Sequence, residues 1–315
     1  MLQREWYPQK YQMPQAYPFN SYFSVMDIDI QQLVVEMVQW HQQFLQRNRY
    51  EPSSVDLDQE KELQERWRVM TEYIPQDTFI LGVPFYDLSQ PMWKAGTEKF
   101  FGNRELSVMN FLEYIHPSHL GCYFLMGQAS YEMAAKPEYR AHAAKGNFSS
   151  KLEFALRHYI NNRYYSITQV SEPALFDKKE NLLFHINSYR IGNELSPKEL
   201  KRYLAQITYG PVEKHVEYSN ILVREAGKII FNKLEPKERL VLLEYLRGIE
   251  ENSRLRIADI AEATGLTTRA ITSANEKLIR MGNTYLPFQQ FATAQKFLQF
   301  AHEQGFFFSE LKQLV

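Results

Sequence analysis

Ile257-Ala-Asp-Ile-Ala-Glu-Ala-Thr-Gly-Leu-Thr-Thr-Arg-Ala-Ile-Thr-Ser-Ala-Asn-Glu-Lys-Leu-Ile-Arg280 is the stretch whose spacing decides the C-terminal part of the fold. Ile257, Ile260 and Ala261 give a short first helix an apolar face, and Ala261 is small where a second helix must cross closely. Gly265 supplies the turn, because glycine tolerates the positive φ that other residues resist, and Leu266 plugs the junction. Thr267 or Thr268 caps the next helix. On a wheel of about 100° per residue, Ile271, Ala274, Leu278 and Met281 form one stripe, and Arg269, Thr272, Ser273, Glu276 and Arg280 fall opposite. The spacing predicts two helices meeting at a tight turn, the second buried on one side and polar on the other.

Two flanking segments extend the pattern. Leu234-Glu-Pro-Lys-Glu-Arg-Leu-Val-Leu-Leu-Glu-Tyr-Leu246 has a helix-starting proline and apolar residues at helical spacing, and Phe291 to Gln304 repeats that spacing before Gly305. The order of these four helices resembles the LuxR-type DNA-binding domain. There an opening Leu-x-Pro-x-Glu-Arg helix, a scaffold helix, a recognition helix and a closing helix make a bundle. The resemblance covers residues 232–315 and implies a helix-turn-helix whose outer stripe enters the major groove of double-stranded DNA. On that reading Arg269, Thr272, Ser273 and Glu276 contact bases, while Lys277, Arg280, Arg254 and Arg256 contact phosphates.

Charge qualifies this expectation. Residues 211–315 hold 14 Lys and Arg against 13 Asp and Glu, a net of +1. Phosphate neutralisation supplies much of the affinity for DNA, so a near-neutral domain needs clustered basic residues or a dimer. Glu276 either accepts from a cytosine amino group or repels the backbone, and the sequence leaves both open. A second reading follows: a ligand-binding or protein-interaction module whose helix-turn-helix no longer binds DNA.

The whole chain has 315 residues, a net charge of −1 and 44% hydrophobic residues, which suits a globular protein of two or three domains. Its 20 Tyr and 21 Phe imply heavy aromatic packing. A single cysteine, Cys122, excludes an internal disulfide and any multi-cysteine metal site, and reads as a small apolar filler. No export signal is visible, and no stretch approaches ~18 uncharged apolar residues, so no membrane span and a cytoplasmic location are expected.

Residues 1–23, rich in Gln, Pro and Tyr, read as an irregular arm. Ile28 to Arg47 and Asp56 to Arg68 follow as helices flanking the next domain. Phe79 to Asp87 and Pro91 to Ala95 read as short strands, then come short helical pieces and a helix from Cys122 to Ala135. Lys151 to Tyr159, Tyr164 to Phe176 and Asn181 to Arg190 read as three long antiparallel strands.

Two strands, small helices, one connecting helix and three long strands is an order that resembles a PAS sensor domain over residues 78–191. Phe111-Leu-Glu-Tyr-Ile-His-Pro-Ser-His-Leu120 looks like that family's apolar run followed by His-Pro-x-Asp, with His119 in place of the aspartate. The resemblance implies a small-molecule pocket between the sheet and the short helices, or a dimerisation role. Trp93, Phe111, Tyr114 and Phe124 are the lining candidates, although a filled aromatic core without a ligand accounts for them equally well.

His116 and His119 lack a third ligand nearby, so capping and hydrogen bonding explain them better than a metal, and no metal or cofactor is expected. No phosphate-binding glycine loop, Gly-x-Ser-x-Gly elbow or His-Glu-x-x-His motif occurs, and the chain is not expected to be an enzyme. In the connector, Ser196 opens a helix from Pro197 to Leu204, and a break follows at Gly210-Pro211. Val212, Val216, Ser219, Val223, Ala226 and Ile230 then recur as a short seam. That seam suits a homodimer or a helix packed within the chain. The expected class is α+β: a PAS-like antiparallel sheet with flanking helices (78–191) after an arm and flanking helices (1–77), then a helical connector (192–231) and an all-α helix-turn-helix bundle (232–315). The expected activity is transcriptional regulation, a ligand or partner shifting the spacing of two recognition helices.

Overall fold

Helix α1 (Ile30–Arg47) forms where apolar residues recur at three and four positions, and it buries Leu33, Val34, His41 and Phe44. The computed structural model describes residues 30–307 except 56, 145–147, 201–206, 287 and 288, so the N-terminal arm and Leu204 lie outside the described residues. Trp40 Nε1 and Arg47 Nη2 of α1 both donate to Glu132 Oε1, at 2.9 and 2.7 Å. In α2 (Leu57–Thr71) the charged side faces solvent, while Leu63 and Trp67 pack on the sheet.

Strands β1 (Thr78–Pro84) and β2 (Trp93–Ala95) are followed by the short helices α3 (Glu98–Phe101) and α4 (Val108–Phe111), then α5 (Pro117–Ala134) and α6 (Pro137–Ala144). Pro117 opens α5, and His116 Nδ1 accepts from the Ser118 N–H at 3.2 Å. The His116 N–H donates to the Ala155 carbonyl (2.9 Å), and His119 Nδ1 accepts from the Ala155 N–H (2.8 Å). Both histidines therefore fasten the start of α5 to the sheet.

Strands β3 (Ser149–Arg157), β4 (Tyr164–Phe176) and β5 (Leu182–Glu194) are the three long strands of the sequence reading. After α7 (Pro197–Leu200) the chain forms β6 (Ile207–Gly210), which the sequence pattern had not suggested. The sheet is antiparallel with order β2-β1-β5-β4-β3-β6. Within the single chain, helix α8 (His215–Phe231) packs part of the connector's seam and leaves part of it open. Ala226 and Ile230 are buried, and Ser219 Oγ accepts from the Tyr209 N–H of β6 at 3.0 Å, whereas Val216 is 77% exposed.

The bundle comprises α9 (Pro236–Glu250), α10 (Ile257–Thr264), α11 (Thr268–Tyr285) and α12 (Ala294–Glu303). Gly265 ends α10 at φ +68°, and Thr267 Oγ1 caps α11 by accepting from the Ala270 N–H. Ile271, Ala274, Leu278 and Met281 are all buried. Where α5 crosses the end of α11, a Cβ on Gly121 would lie 2.0 Å from the Thr284 carbonyl oxygen, so the two backbones touch. One continuous apolar core joins the inner face of the sheet, α5, α8 and the bundle, and a smaller cluster lies under α2 on the outer face. Among the described residues no helix is long and apolar enough to cross a membrane.

Candidate functional site

Strand alternation decides what lies over the sheet. Cross-strand neighbours share a face, so the register Tyr209↔Ser150, Ser150↔Ser171, Ser171↔Asn187 draws one row across β6, β3, β4 and β5. Beside it, Leu152↔Gln169 and Gln169↔Tyr189 form a second row ending on Phe79. The inner face of an internal sheet is usually apolar, and here its middle carries serine, asparagine, glutamine and tyrosine.

Above these rows is a cavity of about 450 Å³. Its floor includes Ser150, Gln169, Ser171, His185, Asn187 and Tyr189, and its walls come from α1, α5 and the residues around Phe85. Several floor and wall groups are satisfied within the protein. Asn187 Nδ2 donates to Tyr189 OH (3.0 Å), Tyr209 OH donates to the Ser130 carbonyl (2.7 Å), and His41 Nε2 donates to the Phe85 carbonyl (2.6 Å). Gln169 Oε1 and Asn187 Oδ1 are not: the residues are 8% and 2% exposed, and neither oxygen has a hydrogen-bond partner. Left dry, such an oxygen costs about 1–3 kcal/mol, so both call for a donor from within the cavity, water or solute.

Burial also fixes the charge of the two histidines that line this site. It pushes the imidazole of His185 down to about 4 and lowers that of His41, so both are neutral near pH 7. Burial alone pushes the Cys122 thiol up to about 12, which leaves it an unreactive filler within the core. No group of three His, Cys, Asp or Glu able to hold a metal ion occurs among the described residues.

Of the four aromatic lining candidates, Phe111 and Phe124 line the cavity. Trp93 does not: its register with Gly82 puts it on the outer face, where it packs against Phe184 and Trp67. Tyr114 is buried outside the cavity, its ring against Phe101 and its hydroxyl accepting from Arg104 at 3.0 Å. The aromatic criterion thus missed the polar floor. A period of two in Gln169-x-Ser171 and His185-x-Asn187-x-Tyr189 was the available signal.

The second candidate surface is the outer face of α11. Arg269, Thr272, Ser273, Glu276 and Arg280 are exposed, as are Arg254 and Arg256 in the turn before α10. Arg254, Arg269 and Arg280 make no ion pair among the described residues. Arg256 pairs with Asp259 (3.2 Å), and Lys277 is half-buried against Glu238 of α9, with Nζ 2.6 Å from Oε2. The basic residues therefore divide into three open guanidiniums, one tethered guanidinium and one neutralised ammonium.

The residues define an α+β chain with a polar-floored cavity in its sheet unit and an exposed helix face in its bundle. No protein family matches the sequence, and no curated protein does. Among solved structures it is similar to the phage VqmA–DPO complex, at 14% identity and a TM-score of 0.22 over 81% of this chain and 94% of that one. It is also similar to the Vibrio cholerae VqmA dimer in the absence of target DNA, at 12% identity and a TM-score of 0.25 over 77% and 88%. A complex of the Vibrio VqmA with ligand and DNA is 14% identical, with a TM-score of 0.22 over 77% and 88%.

Proposed function

We propose that this chain is a sequence-specific DNA-binding transcriptional regulator whose PAS-like sheet unit takes a small uncharged molecule. The observation that carries the DNA reading is the division of α11 into a wholly buried stripe and an exposed face flanked by unpaired arginines. A helix held rigidly by one side and open on the other suits a major groove. The reading of the sheet unit rests on the two unpartnered amide oxygens above the floor of the cavity. A neutral ligand suits this lining, because His41 and His185 are uncharged and the Glu36 carboxylate on the wall is already paired with Lys233.

The geometry also ranks the basic residues. Arg269 at the start of α11 is assigned to bases, and Arg280 and Arg254 to phosphates. Lys277, already paired with Glu238, is assigned to holding α11 on α9. The alternative, an interaction module with a disused helix-turn-helix, is favoured less, since the Arg269 to Arg280 face lies open to solvent instead of against the sheet unit.

Selection of random duplex DNA by the full-length protein, at low and physiological salt, tests the reading. A recovered palindrome with a steep salt slope is expected, and it would report a dimer. Arg269→Ala should relax sequence preference at a cost of about 1–3 kcal/mol, and Arg280→Ala should weaken binding evenly and lower the salt slope by about 1. Absence of any enriched sequence, with both variants indistinguishable from wild type, overturns the DNA assignment.

A further inference from the structure

Three side chains from separate parts of the chain meet at the cavity wall. Glu36 comes from α1, Lys233 from the turn between α8 and α9, and Tyr285 is the last residue of α11. Lys233 Nζ donates to Glu36 Oε2 at 2.6 Å and also to Tyr285 OH, and Tyr285 OH donates to the same carboxylate oxygen at 3.3 Å. Burial pushes the Glu36 carboxyl up, but Lys233 and Gln32 overcome it and hold the group below its usual range. All three residues line the cavity, and Tyr285 is only 5% exposed.

The geometry points to a latch in which Glu36, Lys233 and Tyr285 transmit the contents of the cavity to the seating of α11. This rests on the reading of α11 as the helix that meets DNA. A molecule at that end of the cavity touches the very groups that hold the last turn of α11, and any donor or acceptor it brings competes with their shared hydrogen bonds. Tyr285 stands one residue from Thr284, whose carbonyl rests on the bare backbone of Gly121. A change in the triad thus reaches α11 at its contact with α5. By linkage, a molecule whose binding loosens the latch changes the affinity for DNA by the same factor as DNA changes the affinity for that molecule.

The test needs no identified ligand, because the cavity can be filled from within. Gly127 lines it, and a side chain there would begin with no atom within 4 Å. Hydrogen exchange of residues 278–286 and affinity for the selected duplex are measured on full-length wild type, Gly127→Phe, Tyr285→Phe, the double variant and Arg66→Gln. The last breaks the 2.7 Å pair with Glu172 that ties α2 to β4, away from the triad and from the helix that carries Glu36. Gly127→Phe is expected to change both readouts by roughly 5- to 10-fold. Tyr285→Phe, which removes one oxygen, should change them in its own right and abolish the further response to Gly127→Phe. Arg66→Gln should leave both at wild-type values. The latch is overturned if the response to Gly127→Phe is the same with and without the Tyr285 hydroxyl, or if Arg66→Gln matches it. Gly127→Leu replaces Gly127→Phe if the larger side chain prevents folding. If exchange follows the expected pattern while no protein, wild type included, selects a duplex, the latch stands and the DNA reading falls.

Discussion

The two faces of β5 are made from alternate residues of one strand, and they have opposite characters. Outward, Phe184 and Ile186 join Leu63, Ile80, Trp67 and Trp93 in a closed apolar cluster. It is so tight that a Cβ on Gly82 would lie 2.6 Å from the Phe184 ring. Inward, His185, Asn187 and Tyr189 face open volume, and two amide oxygens of that floor go unpartnered. Both faces are removed from water, so burial does not distinguish them. What does is polarity combined with space: the outer face is closed on itself, and the inner face presents polar groups to a cavity, two of whose oxygens find no partner within the protein.

The largest expected effect tests the outer face. Phe184→Ala should lose about 3–5 kcal/mol of stability in urea denaturation, because the cluster has no room to collapse gracefully. A loss below about 1 kcal/mol would mean that the outer cluster is not the closed packing described. The second concerns pH. Burial holds His185 at about 4 in the folded chain, against an ordinary 6.5, so the unfolded chain takes up a proton that the folded one refuses. The stability this represents is complete above pH 6.5 and is lost as the pH falls toward 4. Replacing His185 with Gln should therefore reduce the drop between pH 7 and 4.5 by about 2–3 kcal/mol. An unchanged drop would place His185 in contact with solvent and weaken the contrast between the faces. The smallest effect sharpens it most. Asn187→Leu exchanges a buried amide, whose oxygen is unpartnered and whose nitrogen donates only to Tyr189 OH, for an apolar group of similar size, and unfolding should stay within about 1 kcal/mol of wild type. A severe loss would show that the amide is structural.

Legibility in the sequence followed the range of the forces involved. The stripe of α11 was readable because Ile271, Ala274, Leu278 and Met281 obey the helical period and Gly265 marks the turn chemically. The three long strands were readable for the same kind of reason, their ends lying close to those expected. Strand β6 was not: its four residues, ending on Gly210 itself, carry no period of their own and become a strand only by pairing with β3. Lys277 read as an open cation until Glu238, 39 positions earlier, came within reach across the bundle. Trp93 was chosen for its ring, but the side of the sheet it occupies is set by its pairing with Gly82.

β6 also sets an order of events during synthesis. Its partner β3 begins at Ser149, yet the strand that covers the Ser149–Leu152 edge is not complete until Gly210 has been made. Until then a growing chain displays an unpaired row of backbone donors and acceptors, which other chains can pair with. A fragment stopped at residue 191 would keep that edge permanently, so a sheet unit meant to live alone must carry the connector strand with it.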